Sequence, residues 1–323
     1  MPEREASSGR VLLAFAAIYV LWGSTYLGIR YAVETLPPFL MAGTRHLTAG
    51  ILLYVWNRFR GEPRPRLRDW GVAAAIGALM LLGGNGLVSW AEQRVPSGLA
   101  ALIVASVPLW MTVLEAVQKR RTPRGPVIGG LVLGLAALVW LVAPGRFGGN
   151  GHVDPLGAAA LLLAALCWAV GSLYSRVAKL PVSTFLAIAM EMIAGGLILW
   201  SAGLATGEGA RLHVESVSVR SLLALGYLIV FGSLAGFSAY MWLLRVTTPA
   251  RVSTYAYVNP IVAVLVGWAV AGEAVTLRTA IATLGIVAAV AIIIRFGGTD
   301  RRAKIVREAE PEVPVRLRAG RAS

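Results

Sequence analysis

Apolar residues in this chain come in long blocks, without the strict alternation of a half-buried strand. Runs of roughly 20 residues, the length that crosses bilayer hydrocarbon as a helix, fall near 11–33, 37–56, 70–91, 96–117, 125–143, 154–178, 182–204, 221–244, 249–271 and 276–296. Inside hydrocarbon each segment must satisfy its own backbone, so the blocks predict helices. The connections are too short to fold as soluble domains. The pattern therefore predicts an all-α integral membrane protein with ten transmembrane helices. The first run follows Arg4 and Arg10, as a secretory signal does. It is nevertheless long, carries Trp22, Tyr26 and Arg30, and has no clear small-residue cleavage site, so it is read as the first span.

Composition agrees: 57% of the 323 residues are hydrophobic and 14% charged, against about 25% charged in a soluble domain. A net charge of +14 raises the question of nucleic acid, and the placement of the charges answers it. With the N-terminus in the cytoplasm, 22 of the 30 Lys and Arg fall in inside segments and 4 in outside loops. That bias orients spans. It predicts a multi-pass protein with both termini cytoplasmic and no nucleic-acid partner. Residues 1–10 are a cytoplasmic tail; 297–323 form a basic cytoplasmic tail whose mix of Arg, Lys, Glu and Pro predicts disorder. A single Cys167 and the scattered His46, His152 and His213 make neither a disulfide framework nor a metal site.

The blocks also repeat. "WGSTYLGIRYAVETLPPFLMAGTRHLTAGILL" (22–53) resembles "WAVGSLYSRVAKLPVSTFLAIAMEMIAGGLIL" (168–199), at an offset of about 145–148. Both carry Trp, Gly-Ser-x-Tyr, a basic residue, Pro, then Ala-Gly. "GALMLLGGNGLVSW" (77–90) matches "GYLIVFGSLAGFSA" (226–239) at an offset of 149, and Pro108 matches Pro260 at 152. Five spans per unit is an odd number, so the second unit crosses the membrane the other way up. The basic loop "QKRRTPR" (118–124) and its counterpart "GEAVT" (272–276), which has no basic residue, fit that inversion. Inverted repeats with interrupted helices at matching positions mark secondary transporters, with the site near the midplane.

On these stretches, and on "GNGLVSWAEQRVPSGLAALIVASVPL" and "YAYVNPIVAVLVGWAVAGE", each half resembles an EamA domain of the drug/metabolite transporter superfamily, over roughly 11–296. The resemblance implies a fold of ten helices in two inverted five-helix repeats, 11–143 and 154–296. It also implies an inner-membrane permease that exports or exchanges small metabolites, often amino acids or related compounds.

Polar residues at membrane depth usually face the bundle interior or a water-filled cavity. Several share a helical face: Trp22, Tyr26 and Arg30; Asn85, Ser89 and Glu92; Trp168 and Ser172; Arg251, Tyr255 and Asn259. Any one of them could instead satisfy a neighbouring helix or sit in an interfacial belt. As a set they predict substrate-cavity walls at Trp22, Tyr26, Asn85, Ser89, Trp168, Ser172, Tyr255 and Asn259. Pro108 and Pro260 lack the N–H of a helical bond and predict kinks; the alternative is a kink that serves packing, with Asn259 bonded to a neighbouring helix. Arg30, Arg45, His46, Glu92 and Glu191 are the candidates for gating, or for coupling to a proton or counter-substrate. For Arg45 and Glu191 the reading is an ion pair that fixes helix packing. Gly232 and Gly236 have small-xxx-small spacing and predict close packing.

"GGNG" (83–86) lacks the Lys-Ser/Thr of a phosphate loop, and no other nucleotide motif occurs. No ATP and no cofactor is expected. A membrane enzyme needs a paired catalytic set and a channel a filter repeat; neither pattern is found. The reading is an ATP-independent secondary transporter working by alternating access, with a small-molecule substrate and the bilayer as partners. A polytopic enzyme or a channel is the alternative.

Overall fold

Helix covers each of the apolar blocks in the computed structural model, which describes residues 8–120, 122–142, 154–178, 180, 183–247, 252 and 255–297. The first half runs α1 (Ser8–Ala32), α2 (Pro38–Phe59), α3 (Leu67–Ala91), α4 (Ser97–Val104), α5 (Val107–Lys119) and α6 (Gly125–Val142). The second runs α7 (Pro155–Val177), α8 (Thr184–Ala205), α9 (Val219–Val246), α10 (Tyr255–Ala271) and α11 (Leu277–Gly297). Among the described residues, six stretches are long and apolar enough to cross a membrane: α1, α3, Ser97–Gln118 (α4 with α5), α7, α8 and α9. α2 has the length but carries Arg45, His46, Asn57 and Arg58; α6, α10 and α11 offer shorter apolar stretches. Residues 1–7 and 298–323 of the expected tails, and Arg251, lie outside the described residues.

Local chemistry sets several helix starts. Asp154 accepts from the N–H groups of Leu156 and Gly157, with Pro155 in the first turn of α7. Ser183 caps α8 and Ser218 caps α9 in the same way. Each side-chain oxygen satisfies N–H groups that have no partner within their own helix. α2 and α4 begin differently: the carboxylates of Glu208, at the start of the short helical turn Glu208–Arg211 after α8, and of Glu273, just after α10, reach across to their first N–H groups.

Among the described residues, three helices widen to π-helical geometry, at Ala17–Leu21 in α1, Ala78–Gly86 in α3 and Leu228–Phe237 in α9. Such turns are rare and concentrate at functional sites, because they loosen the regular backbone ladder.

α2 packs along α8, and α6 along α11. α1 lies against α9 and α10, while α7 lies against α3, α4 and α5. Glycines permit the closest approaches: Gly50 meets the backbone of Ile193, Gly196 meets Leu47, and Gly77 meets Gly195. In lipid, such contacts hold helices together through dispersion, since apolar side chains lose nothing by facing the acyl chains. Accordingly, large apolar side chains such as Leu13, Leu135, Leu223 and Leu284 remain exposed, a surface that water would not tolerate over such an area.

Candidate functional site

Five aromatic rings from four helices meet in the middle of the main buried cluster: Trp22 of α1, Trp168 of α7, Phe237 and Tyr240 of α9, and Tyr255 of α10. Trp22 lies 5.5 Å from Trp168 and 5.6 Å from Tyr255, edge to face, and 5.0 Å from Tyr240. Edge-to-face pairs bring the positive rim of one ring to the negative face of another. Each indole N–H has an acceptor: Trp22 donates to the carbonyl of Gly232 (3.1 Å), and Trp168 to the hydroxyl of Tyr240 (3.2 Å). Gly232 belongs to the widened turn of α9.

Two glycine-bearing turns seat the tryptophans. A Cβ at Gly84, in the widened turn of α3, would lie 2.8 Å from the Trp168 ring, and one at Gly236 would run into the Trp22 ring.

The aromatic group forms part of the wall of a partly open cavity. Of the residues expected in such a wall, Trp22, Tyr26, Asn85, Trp168, Tyr255 and Asn259 line it, and so do Arg45 and His46. Ser89 and Ser172 do not. Each hydroxyl bonds back one turn, to the carbonyls of Asn85 (2.9 Å) and Trp168 (2.7 Å), a local bond that takes a helical serine out of play. Ser172 also meets the Tyr240 hydroxyl at 2.9 Å, so it holds the wall from behind.

Asn259 is both a lining residue and a tie between helices. With its amide nitrogen turned toward them, it donates to the carbonyls of Ile18 (3.0 Å), Tyr19 (3.1 Å) and Tyr255 (3.3 Å). The first two belong to the widened turn of α1. Pro260 follows inside α10. Pro108 lies in the first turn of α5, just past the break at Ala105–Ser106 that separates α5 from α4. Val104, the last residue of α4, also faces the cavity.

The expected Arg45–Glu191 ion pair does not form. Arg45 instead extends from α2 to α9, where Nε donates to Ser233 Oγ (2.8 Å) and Gly232 leaves room for the guanidinium. A Cβ at 232 would lie 2.5 Å from Nη2. His46 Nδ1 shares the same Ser233 hydroxyl at 3.3 Å, and its ring meets Phe237 edge-on. Glu191 is fully buried away from the cavity, its carboxylate without a hydrogen-bond partner among the described residues; Arg245 is the cation whose charge reaches it.

At one end of the bundle, α10 closes with Gly272 in the left-handed region (φ 65°), a conformation that favours glycine. That reversal lets Glu273 N–H bond to the carbonyl of Gly267 (3.1 Å) and folds the Glu273 carboxylate back over it. The carboxylate accepts from Ser97 N–H (3.0 Å), Ser97 Oγ (2.8 Å) and Gly98 N–H (3.1 Å), and meets Arg30 at 3.6 Å. Arg30 thus belongs to this contact at the helix end and is outside the cavity lining. Glu92 is buried nearby, where the charges of Glu273, Arg30 and Arg45 act on it.

Spacing along the chain does not reveal the parts played by Gly232, Ser233, Tyr240 and Glu273. The available signals are the Gly232/Gly236 spacing, which reads as packing alone, and a Gly-Glu pair directly after an apolar block.

Known proteins carry the same plan. The sequence profile of the EamA-like transporter family matches residues 9–143 and again 155–295. The inner membrane transporter YedA of Escherichia coli (strain K12) is 41% identical over 285 residues, 88% of this chain and 90% of its own length. The transporter YvbV of Bacillus subtilis (strain 168) is 24% identical over 284 residues, 88% of this chain and 91% of its own. A solved crystal structure, 22% identical, shares the fold with a TM-score of 0.63 over 89% of this chain and 98% of its own. With both halves matched and a cavity between packed apolar helices, the chain belongs to the EamA-like transporter family and is a membrane transporter of small molecules rather than an enzyme.

Proposed function

We propose that the chain spans the inner membrane ten times, as two inverted five-helix repeats, 11–143 and 154–296, with both termini in the cytoplasm. The central cavity then opens to one side and the other in turn, and exports or exchanges a small metabolite without ATP. One observation carries this reading: the cavity wall is built by corresponding parts of both halves. Trp22 of the first half rests on the widened turn of α9, and Trp168 of the second half rests on the widened turn of α3. The contact pattern supports it too, since α1 against α9 and α10 corresponds to α7 against α3 and the α4–α5 span. Two related halves around one site are the arrangement in which one half can rock or gate against the other.

In this reading Trp22, Tyr26, Asn85, Trp168, Tyr255 and Asn259 contact the cargo, and Arg30 with Glu273 helps close the outer end. Pro108 and Pro260 sit where the fourth and ninth spans bend during the cycle. Amino acids and related compounds are the cargo class that the family resemblance favours. Movement is coupled to a proton or to a counter-substrate, and Glu92 and His46 are the titratable groups through which a proton acts.

Counterflow in proteoliposomes loaded with labelled metabolites, with and without a pH gradient, tests the reading. Movement of a compound without ATP is expected, with a pH profile altered in Glu92→Gln or His46→Asn. Chemical conversion of the compounds with no movement across the membrane overturns transport. An unchanged profile in both variants removes proton coupling through this pair.

A further inference from the structure

Arg45 is a buried cation with no ion-pair partner among the described residues. It is buried, 3% exposed, near the middle of α2, and its hydrogen bond goes to the neutral hydroxyl of Ser233. Among the described residues neither Nη meets an acceptor, and no carboxylate lies within ion-pair distance. Glu92, whose charge acts on it, stays outside that range. A guanidinium presents five donors in a rigid fork, and burying it with most of them idle is costly.

The repeat does not dictate an arginine here: at an offset of 145 the corresponding residue of the second half is Met190, buried in α8 in a separate apolar cluster with Ala73 and Leu186. The space is kept open from the other side as well, since any side chain at Gly232 would displace the guanidinium. Arg45 faces the cavity, where Trp22, Trp168 and Tyr255 supply an aromatic wall and Asn85 an amide.

We propose that Arg45 is the receptor for a carboxylate group of the cargo, whose apolar body lies against Trp22, Trp168 and Tyr255. The class is an amphipathic monocarboxylate: the fork takes the two oxygens, and the aromatic wall takes the rest. His46, beside Arg45 on the shared Ser233 hydroxyl, keeps the guanidinium turned toward the cavity. The inference rests on the transport reading only in calling the bound compound cargo.

Equilibrium binding to the purified full chain in detergent, with 3-phenylpropionate and 3-phenylpropionamide as probes, reads the assignment directly. These differ in charge and hardly in shape. The wild-type protein is expected to bind the acid roughly ten- to a hundredfold more tightly than the amide, the worth of a charge-assisted hydrogen bond. Arg45→Met, which copies the side chain at the matching position of the other half, is expected to lose that preference, and Arg45→Lys to keep a preference for the acid. Equal binding of acid and amide by the wild type overturns the proposal, and that measurement needs no variant to fold. An Arg45→Met protein that retains the full preference overturns it as well. Counterflow of the same acid separates the two claims: binding with the acid preference but no transport of any compound sinks the transport reading alone. Transport confined to neutral or cationic compounds sinks the role of Arg45 and leaves transport standing.

Discussion

Gly226 and Gly236 lie on one helix and call for opposite outcomes on substitution. A Cβ at Gly226 meets nothing within 4 Å, whereas one at Gly236 runs into the indole of Trp22. Gly226→Ala should raise stability by about 0.5–1 kcal/mol, through the lower entropy of the unfolded chain. Gly236→Ala should lower it by about 1–3 kcal/mol, because Trp22 must leave the Gly232 carbonyl and the ring cluster around it. Thermal unfolding in detergent compares them; similar shifts in both would contradict the seat drawn for Trp22. A second pair separates Glu273 from its ion-pair partner. Glu273→Gln weakens charge-assisted bonds to two helix N–H groups and should cost about 1.5–3 kcal/mol. Arg30→Gln should cost under about 1 kcal/mol, since the Arg30 side chain is 37% exposed and such pairs are screened. At this scale the aromatic stripes were legible, because Trp22, Tyr26, Trp168 and Tyr255 recur at helical spacing. The serines were not. Spacing cannot tell a hydroxyl aimed at a cavity from one bonded back to its own helix, as at Ser89 and Ser172.

Whole helices were the most legible feature, since uninterrupted apolar blocks leave the backbone no other way to satisfy itself in lipid. Their irregularities were not. A π-helical turn has no residue signature of its own, and the glycines of α3 and α9 could equally have marked tight packing. What the widened turns add is a set of backbone carbonyls used across helices, by the Trp22 indole at Gly232 and by the Asn259 amide at Ile18 and Tyr19. Asn259→Ala removes the α10–α1 tie together with a cavity contact, so it should weaken cargo binding while membrane insertion stays intact. Pro260→Ala restores a helical N–H within α10, which a proline there forgoes at about 3 kcal/mol. The variant should melt higher and cycle more slowly, with binding little changed. Counterflow rates beside melting temperatures check both, and a Pro260→Ala protein with wild-type cycling would assign the proline to packing alone.

For the molecule as a whole, α2 supplies a ruler for topology. It is a single helix of 22 residues, Pro38–Phe59, and at about 1.5 Å per residue it is roughly 33 Å long. Bilayer hydrocarbon is about 30 Å thick. The loop carrying Glu208 is fixed to the N-terminal end of α2, through bonds from the N–H groups of Phe39 (3.2 Å) and Leu40 (2.9 Å) to its carboxylate. The basic segment Arg58–Arg68 begins in the last turn of the same helix and continues beyond its C-terminal end. If α2 crosses the membrane despite Arg45 and His46, these two loops stand on opposite sides. The five Lys and Arg of 57–69 then assign the basic one to the cytoplasm. A reporter fused after Arg68 should therefore read cytoplasmic. One inserted after Leu212, beyond the Glu208 contacts, should read external. Both reporters on one side would mean that α2 lies within the bundle without crossing it; the two halves then could not be inverted copies, and alternating access between them would lose its structural basis.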